Sequence, residues 1–312
     1  MTYTSPSALD LANAFAFGVT KQGQPLSYNR APAADLAAWI ARVSVTKLIL
    51  DCGQPITCGL FADTSGIRIQ LAGNFVAETR QGTRRFGRGA VFCGPQSRLM
   101  PVRVEDDFIS IALSFRPSAC PALVPEPMAD LIDQVRDTEV WSPEMLVSLF
   151  DSEGTPEEWL QVAEGLFRSW IAIYAGPGPN PVSAAFEEIA FINPAQSIAE
   201  AARAIGVDRR RLERTVVRDF GMPPKQVLKR ARALDMASHL RGVADGDEAE
   251  ALALRYYDES HLIREFIELF GMSPRQFAAR PQPLLTVNLE IRQARRLEMI
   301  RRLEPGARRP WQ

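Results

Sequence analysis

A stretch that occurs twice in one chain limits the fold, because one small scaffold must satisfy both copies. Residues 205–227 read IGVDRRRLERTVVRDFGMPPKQV and residues 255–277 read RYYDESHLIREFIELFGMSPRQF. At an offset of 50 they share Asp208/Asp258, Leu212/Leu262, Arg214/Arg264, Phe220/Phe270, Gly221/Gly271, Met222/Met272, Pro224/Pro274 and Gln226/Gln276. Upstream, Ala199-Glu200-Ala201 matches Ala249-Glu250-Ala251. A period present only twice is a tandem duplication, not a solenoid.

Each copy predicts a helix, a tight turn and a second helix that starts after an Asp. SIAEAARAIG (197–206) opens on Ser197 and Glu200 as a capping box and ends near Gly206. Asp208 then caps a helix whose Leu212, Val216 and Phe220, spaced i, i+4, i+8, form the buried stripe. Its opposite face carries Arg210, Arg214 and Val217, flanked by Arg211, Glu213 and Arg218. The second copy buries Leu262, Phe266 and Phe270 and presents Ser260, Arg264 and Ile267, flanked by His261, Ile263 and Glu268. Core residues agree between the copies while most exposed ones differ. One helix-turn-helix places one helix in one major groove. Two copies with one scaffold and different faces therefore suit two different groove segments. Arg can fork onto guanine O6 and N7, and Glu can accept from cytosine N4. Duplex DNA is the expected partner.

These residues carry a family resemblance. The stretch 182–280 resembles the DNA-binding domain of AraC/XylS-type bacterial transcription regulators, with the first helix-turn-helix and its linking helix in 197–240 and the second in 253–277. The resemblance implies two lobes entering successive major grooves on one side of DNA. By position, Arg209, Arg210, Glu213 and Arg214 would read bases in the first lobe, and Glu259, Ser260, Ile263 and Arg264 in the second. Arg218 and His261 flank these faces as further DNA contacts. Lys225 and Arg275, at helix starts after the two FGM turns, would hold phosphates. The chain departs from the family at Arg255, where Gly is common in the turn before the second recognition helix.

The rest of the chain has a different texture. AGPGPNPVS (175–183) is rich in Pro and Gly and reads as a linker. Before it, residues 46–116 read as strands. DFISIALSFRP places Ile109, Ile111, Leu113 and Phe115 on one face, with small Ser110, Ala112 and Ser114 between them; GIRIQLAG repeats the alternation. Short Gly- and Pro-bounded strands fit a small antiparallel barrel or sandwich. FCGPQSR (92–98) and ALSFRPSACPAL (112–123) resemble the β-rich sensor domains that precede such DNA-binding domains, which implies a cupin-like barrel with an effector. The fold expected is α+β: a cupin-like β barrel or sandwich with trailing helices (1–176), a linker (177–181), an all-α tandem helix-turn-helix domain (182–280) and a basic tail (281–312). Seven Arg against three acids in 289–312 suggest further phosphate contacts. Leu289, Leu297, Ile300 and Leu303 form no single stripe, so no firm docking is expected of the tail.

Ser142 with Pro143, and Thr155 with Pro156 and Glu158, predict helix starts, and Gly176 a helix end. The helix from 156 aligns Trp159, Leu166, Phe167, Trp170 and Tyr174, which would serve a homodimer interface or pack on the strands. The loop 79–89 offers Arg80, Arg84, Arg85 and Arg88 to an anionic effector, or is a solvated hairpin turn.

Charge divides along the chain. Residues 1–181 are net −5 (14 basic, 19 acidic) and residues 182–312 net +4 (22 basic, 18 acidic), which suits a polyanionic partner for the second part. No apolar run is long enough for a bilayer, and no basic residue precedes Lys21, so no membrane partner and a cytoplasmic, bacterial protein are expected. Cys52, Cys58, Cys93 and Cys120 form no CxxC pair, and only His239 and His261 exist to join them; no metal or cofactor is expected. With no histidine before 239, catalysis is not expected either. The chain reads as a transcription regulator, an activator meeting RNA polymerase, gated by a small-molecule or protein effector. The alternative is a DNA-targeted protein with cysteine-based chemistry or sensing in its first half.

Overall fold

The computed structural model describes residues 16–50, 55–138, 141–151, 153–246 and 259–312. Among the described residues the first half holds ten strands in two antiparallel sheets: β1 (Tyr28–Arg30), β2 (Ile40–Leu48), β3 (Ile56–Leu60), β4 (Gly66–Ala72), β5 (Phe75–Thr79), β6 (Gly82–Phe86), β7 (Gly89–Cys93), β8 (Met100–Val104), β9 (Phe108–Phe115) and β10 (Val135–Asp137). One sheet runs β1-β2-β9-β4-β7-β10 and the other β3-β8-β5-β6. They share no ladder, so the β region is a sandwich and not a closed barrel. It begins earlier than the sequence pattern suggested, because β2 is buried along nearly its whole length.

Register explains the layers. Val43 pairs with Leu113 and Leu113 with Ile67; Val45 pairs with Ile111 and Ile111 with Ile69. These aliphatic rows face α1 (Cys120–Leu123), α2 (Pro143–Leu149) and α3 (Pro156–Tyr174), with Leu123, Leu146, Trp159, Phe167 and Trp170 in one core. Leu48, Val91, Phe108 and Val135 point the other way and meet Ile56, Phe75, Val102 and Val104 of the four-stranded sheet. Ser142 caps α2, and a complete Thr155–Glu158 capping box opens α3. Gly176 is not the cap of α3. Ala175 ends the helix in extended conformation, and the Gly176 N–H donates to the Ala122 carbonyl (3.0 Å).

The second half is helical: α4 (Pro181–Ile192), α5 (Ile198–Ile205), α6 (Arg209–Phe220), α7 (Pro224–Leu240), α8 (Glu259–Phe270), α9 (Pro274–Ala279) and α10 (Pro283–Met299). Among the described residues no helix is long and apolar enough to cross a membrane.

The expected basic tail is corrected by α10, which is among the most buried helices of the protein. Leu284 and Val287 join the core between the sheets, while Leu285, Leu289 and Leu297 join Ala233, Phe266, Phe270 and Phe277 of the helical half. Two apolar faces explain the absence of one stripe. Its arginines are also spoken for: Arg292 bonds Asp63 (3.0 Å) and Asp235, Arg295 bonds Glu187 (2.7 Å) and Arg296 bonds Asp235 (3.0 Å). Beyond α10, Arg309 pairs with Glu290, and the buried Trp311 indole donates to the same carboxylate (3.1 Å).

Candidate nucleic-acid interface

The first lobe is assembled by local signals. The Ser197–Glu200 capping box opens α5, and Gly206 closes it at φ 78°. Asp208 then caps α6 by accepting from the Arg211 N–H (2.8 Å). Leu212, Val216 and Phe220 are buried against Val182, Phe186, Ala201 and Val227. That burial turns Arg209, Arg210, Arg211, Arg214 and Arg218 to solvent, with Glu213 half-buried. These cations differ in freedom. Arg209 pairs with Glu213 (2.8 Å), and Arg218 is tied to buried Asp219, whose hydrogen bond raises the Arg218 pKa. Arg210, Arg211 and Arg214 form no ion pair among the described residues. Their charge is therefore uncompensated on the outer face of α6.

In the second lobe Leu262, Phe266 and Phe270 are buried, with Phe266 stacked on Phe270 at 4.1 Å. His261, Arg264, Ile267 and Glu268 are exposed, and Ile263 is half-buried. His261 lies 3.2 Å from Glu265, a buried carboxylate already paired with Arg232 (2.6 Å), and Glu268 pairs with Lys229. This face is mixed in charge where that of α6 is basic. Glu259 is the first residue of α8 and Ser260 the second; their side chains, and Arg255, lie outside the described residues.

Helices α6 and α8 both end on a left-handed Gly, Gly221 (φ 75°) and Gly271 (φ 67°), and a new helix starts three residues on. Lys225 and Arg275 are exposed in the first turns of α7 and α9. At Gly221 a Cβ would also sit 2.7 Å from the Met128 carbonyl, so this turn packs tightly on the first half of the chain.

Residues 201–280 match the helix-turn-helix domain family. They form an AraC-type domain. Such a domain marks a DNA-binding transcription regulator. Among solved structures the chain is similar to ToxT from Vibrio cholerae strain SCE256. An apo variant is 12% identical over 76% of this chain and 97% of that one, with a TM-score of 0.44. The unsaturated fatty acid-bound wild type is 14% identical over 76% and 94%, with a TM-score of 0.43. The AraC-like transcriptional activator CuxR is 13% identical over 61% and 80%, with a TM-score of 0.26. No curated protein matches the chain.

Outside the AraC-type domain, the stripe on α3 is corrected. Trp159, Phe167 and Trp170 are buried within their own chain, Phe167 and Trp170 lying 5.4 and 5.8 Å from the Phe115 ring. They are not available to a second copy. Leu166 is half-buried on the same core, and only Tyr174 is exposed. Arg80, Arg84, Arg85 and Arg88 lie exposed on and beside the β5–β6 hairpin, with Arg85 paired to Glu105 (2.8 Å) and Arg84 near Asp137 (3.7 Å). Burial pushes the Cys58 thiol up to about 12 and raises those of Cys93 and Cys120. A protonated thiol is a poor nucleophile, which weighs against cysteine chemistry at these three sites. Cys52 lies outside the described residues.

The residues that tie the AraC-type domain to the sheets escaped the sequence reading. Arg230 of α7 is fully buried and donates to the backbone carbonyls of Gln96 and Asp63, both at 2.9 Å. Phe61 meets Phe270 edge-on at 5.2 Å, and the Leu99 N–H donates to the Leu269 carbonyl (2.8 Å). Glu187 of α4 accepts from Arg116 (2.9 Å) and from Arg295. A signal existed for Arg230: it falls on the apolar stripe Val227, Ala231, Leu234, where a solvated Arg has no place.

Proposed function

We propose that the protein is a sequence-specific transcription regulator, an activator, that places α6 and α8 in two successive major-groove segments. The supporting observation is the outer face of α6, where Arg210, Arg211 and Arg214 stand exposed with no ion pair among the described residues while the opposite face is core. Arg209, Arg210, Glu213 and Arg214 read bases in the first lobe, with Arg218 alongside. Glu259, Ser260, Ile263 and Arg264 do so in the second, with His261 alongside. Lys225 and Arg275 hold phosphates. The boundaries are 1–176 for the sensing half, 177–181 for the linker and 182–280 for the reading half, with RNA polymerase as the further partner in the cytoplasm. Control comes from the β sandwich, because Arg230, Phe61 and the Gly221 turn bind its loops to both lobes.

Mobility shift with fragments from upstream of the protein's own gene tests this reading. Saturable binding that weakens steeply as salt rises is expected. Binding to none of the fragments, or binding indifferent to salt, defeats it.

A further inference from the structure

The aliphatic rows of the six-stranded sheet face one side only. On the other side Ser44 pairs with Ala112 and Ala112 with Arg68, while the next row runs Arg42, Ser114, Gly66, Cys93. Small side chains at these crossings leave the sheet short of α10 laid over it. The gap is a crevice of about 80 Å³, closed by the turn 61–65 and by Leu289, Ile291 and Arg292 of α10.

Its charge is unevenly matched. Arg42 is answered by Glu298 and Arg295 by Glu187. Arg292 gives Nε to Asp63 (3.0 Å), which also lines the crevice, and Nη1 to Asp235; its Nη2 is buried with no partner. Arg68 forms no ion pair with a described carboxylate. A buried N–H of a cation without an acceptor is costly, and an anion that reached it from the crevice would satisfy it.

We propose that this crevice binds a compact organic carboxylate between Arg68 and Arg292. A guanidinium fork matches a carboxylate in two parallel hydrogen bonds. The hydroxyls of Ser44, Thr46 and Ser114 line the same space for a polar substituent. A dry cavity of roughly 150 Å³ takes a benzene ring, so about 80 Å³ takes an acid of about two to four carbons. Arg292 also holds Asp235 of α7, the helix joining the two lobes, so a ligand that competes with Asp63 for Arg292 acts on the frame that positions α6 and α8. Only this last step, which makes the ligand an effector, rests on the regulator reading.

Isothermal titration of the full chain with sodium acetate, propionate, malonate and succinate at constant ionic strength tests the site, with phosphate and sulfate as the inorganic arm. At least one carboxylate is expected to bind saturably at one site per chain. Arg68→Gln and the crevice-filling Ala112→Leu should weaken it about tenfold to a hundredfold, with Arg98→Gln, exposed and outside the crevice lining, binding as the parent does. Circular dichroism checks the fold; if Ala112→Leu does not fold, Arg68→Gln decides alone. Saturation by no carboxylate, parent-like binding by Arg68→Gln, or phosphate binding as tightly as the best carboxylate each overturns the proposal. Mobility shift on the same preparation keeps the readings apart. A chain that binds a carboxylate and no DNA keeps the site and loses the regulator, while the reverse loses only the site.

Discussion

The arginines of α6 and those of α10 look alike in sequence and end in opposite places. Both helices carry clustered Arg among apolar residues, and both were candidates for contact with a polyanion. In α6, Arg210, Arg211 and Arg214 face solvent with no ion pair among the described residues. In α10, Arg292, Arg295 and Arg296 are buried and bonded to carboxylates of distant elements: Asp63 before β4, Glu187 of α4 and Asp235 of α7. The acids within α6 are Glu213 and Asp219, which engage Arg209 and Arg218, while Asp208 caps the helix through the Arg211 N–H. A run of basic residues therefore says little until the acids that can reach it are known. The positive excess of residues 182–312 is concentrated on α6, because α10 is neutralised internally.

Stability separates the two groups most sharply. Arg292→Ala leaves Asp63 and Asp235 without this partner in a buried setting, and should cost about 3–5 kcal/mol in unfolding by urea. Arg210→Ala should stay within about 0.5 kcal/mol of the parent, since it touches nothing that folding uses. An Arg292→Ala protein with the parent's midpoint and slope would show that the buried pairs add nothing.

Arg230 extends the contrast to a cation that bonds backbone instead of carboxylates. Burial pushes its pKa down to about 10, still well above neutrality, so it remains charged while donating to the Gln96 and Asp63 carbonyls. Arg230→Met keeps much of the volume and removes both bonds. About 1.5–3 kcal/mol should be lost, again by urea unfolding. Unchanged stability would mean that the AraC-type domain is held to the sheets by its other contacts, such as Phe61–Phe270 and the Leu99–Leu269 backbone bond.

What the sequence made legible was local. The caps at Ser197, Asp208 and Thr155, the left-handed Gly206 and the stripe Leu212, Val216, Phe220 each depend on residues within a few positions, and each stands where the spacing put it. The alternation in β9 was readable as well, including its small face, although not that the small face would become a crevice. What stayed hidden depends on partners far along the chain. Asp63 and Arg292 meet only because α10 crosses the sandwich, and no period within α10 encodes that. The α3 stripe is a like case, since an aromatic face does not say whether a sheet or a second chain will cover it. At the candidate interface the outward faces were legible from helical period. The pairing of Arg209 with Glu213 and Arg218 with Asp219 was there to be read at spacings of four and one.

On DNA the ranking reverses, and the free arginines carry the effect. Arg210→Ala should cost about 1–3 kcal/mol on the specific site and relax preference at the base pair it faces. Arg209→Ala should cost less, because its guanidinium already spends a bond on Glu213. Fluorescence anisotropy on specific and scrambled duplexes checks both. Equal losses on the two duplexes would move Arg210 from base reading to backbone contact.

The smallest effect expected is that of Lys225→Ala. Lys225 is exposed in the first turn of α7, where Pro223 is the N-cap and offers no side-chain acceptor, so the positive end of the helix stands beside the ammonium. That is an arrangement for a phosphate and not for a base edge. Removing one such contact should lower the slope of log K against log salt by about 0.9 and weaken specific and scrambled duplexes by the same factor. Arg275→Ala in the equivalent turn of α9 should repeat the change and add to it, since the two turns belong to different lobes. Anisotropy titrations across a range of salt concentrations decide the matter. A Lys225→Ala slope equal to the parent's places the side chain off the DNA, whereas a loss confined to the specific duplex makes it a reader and erases the division of labour between helix faces and helix starts.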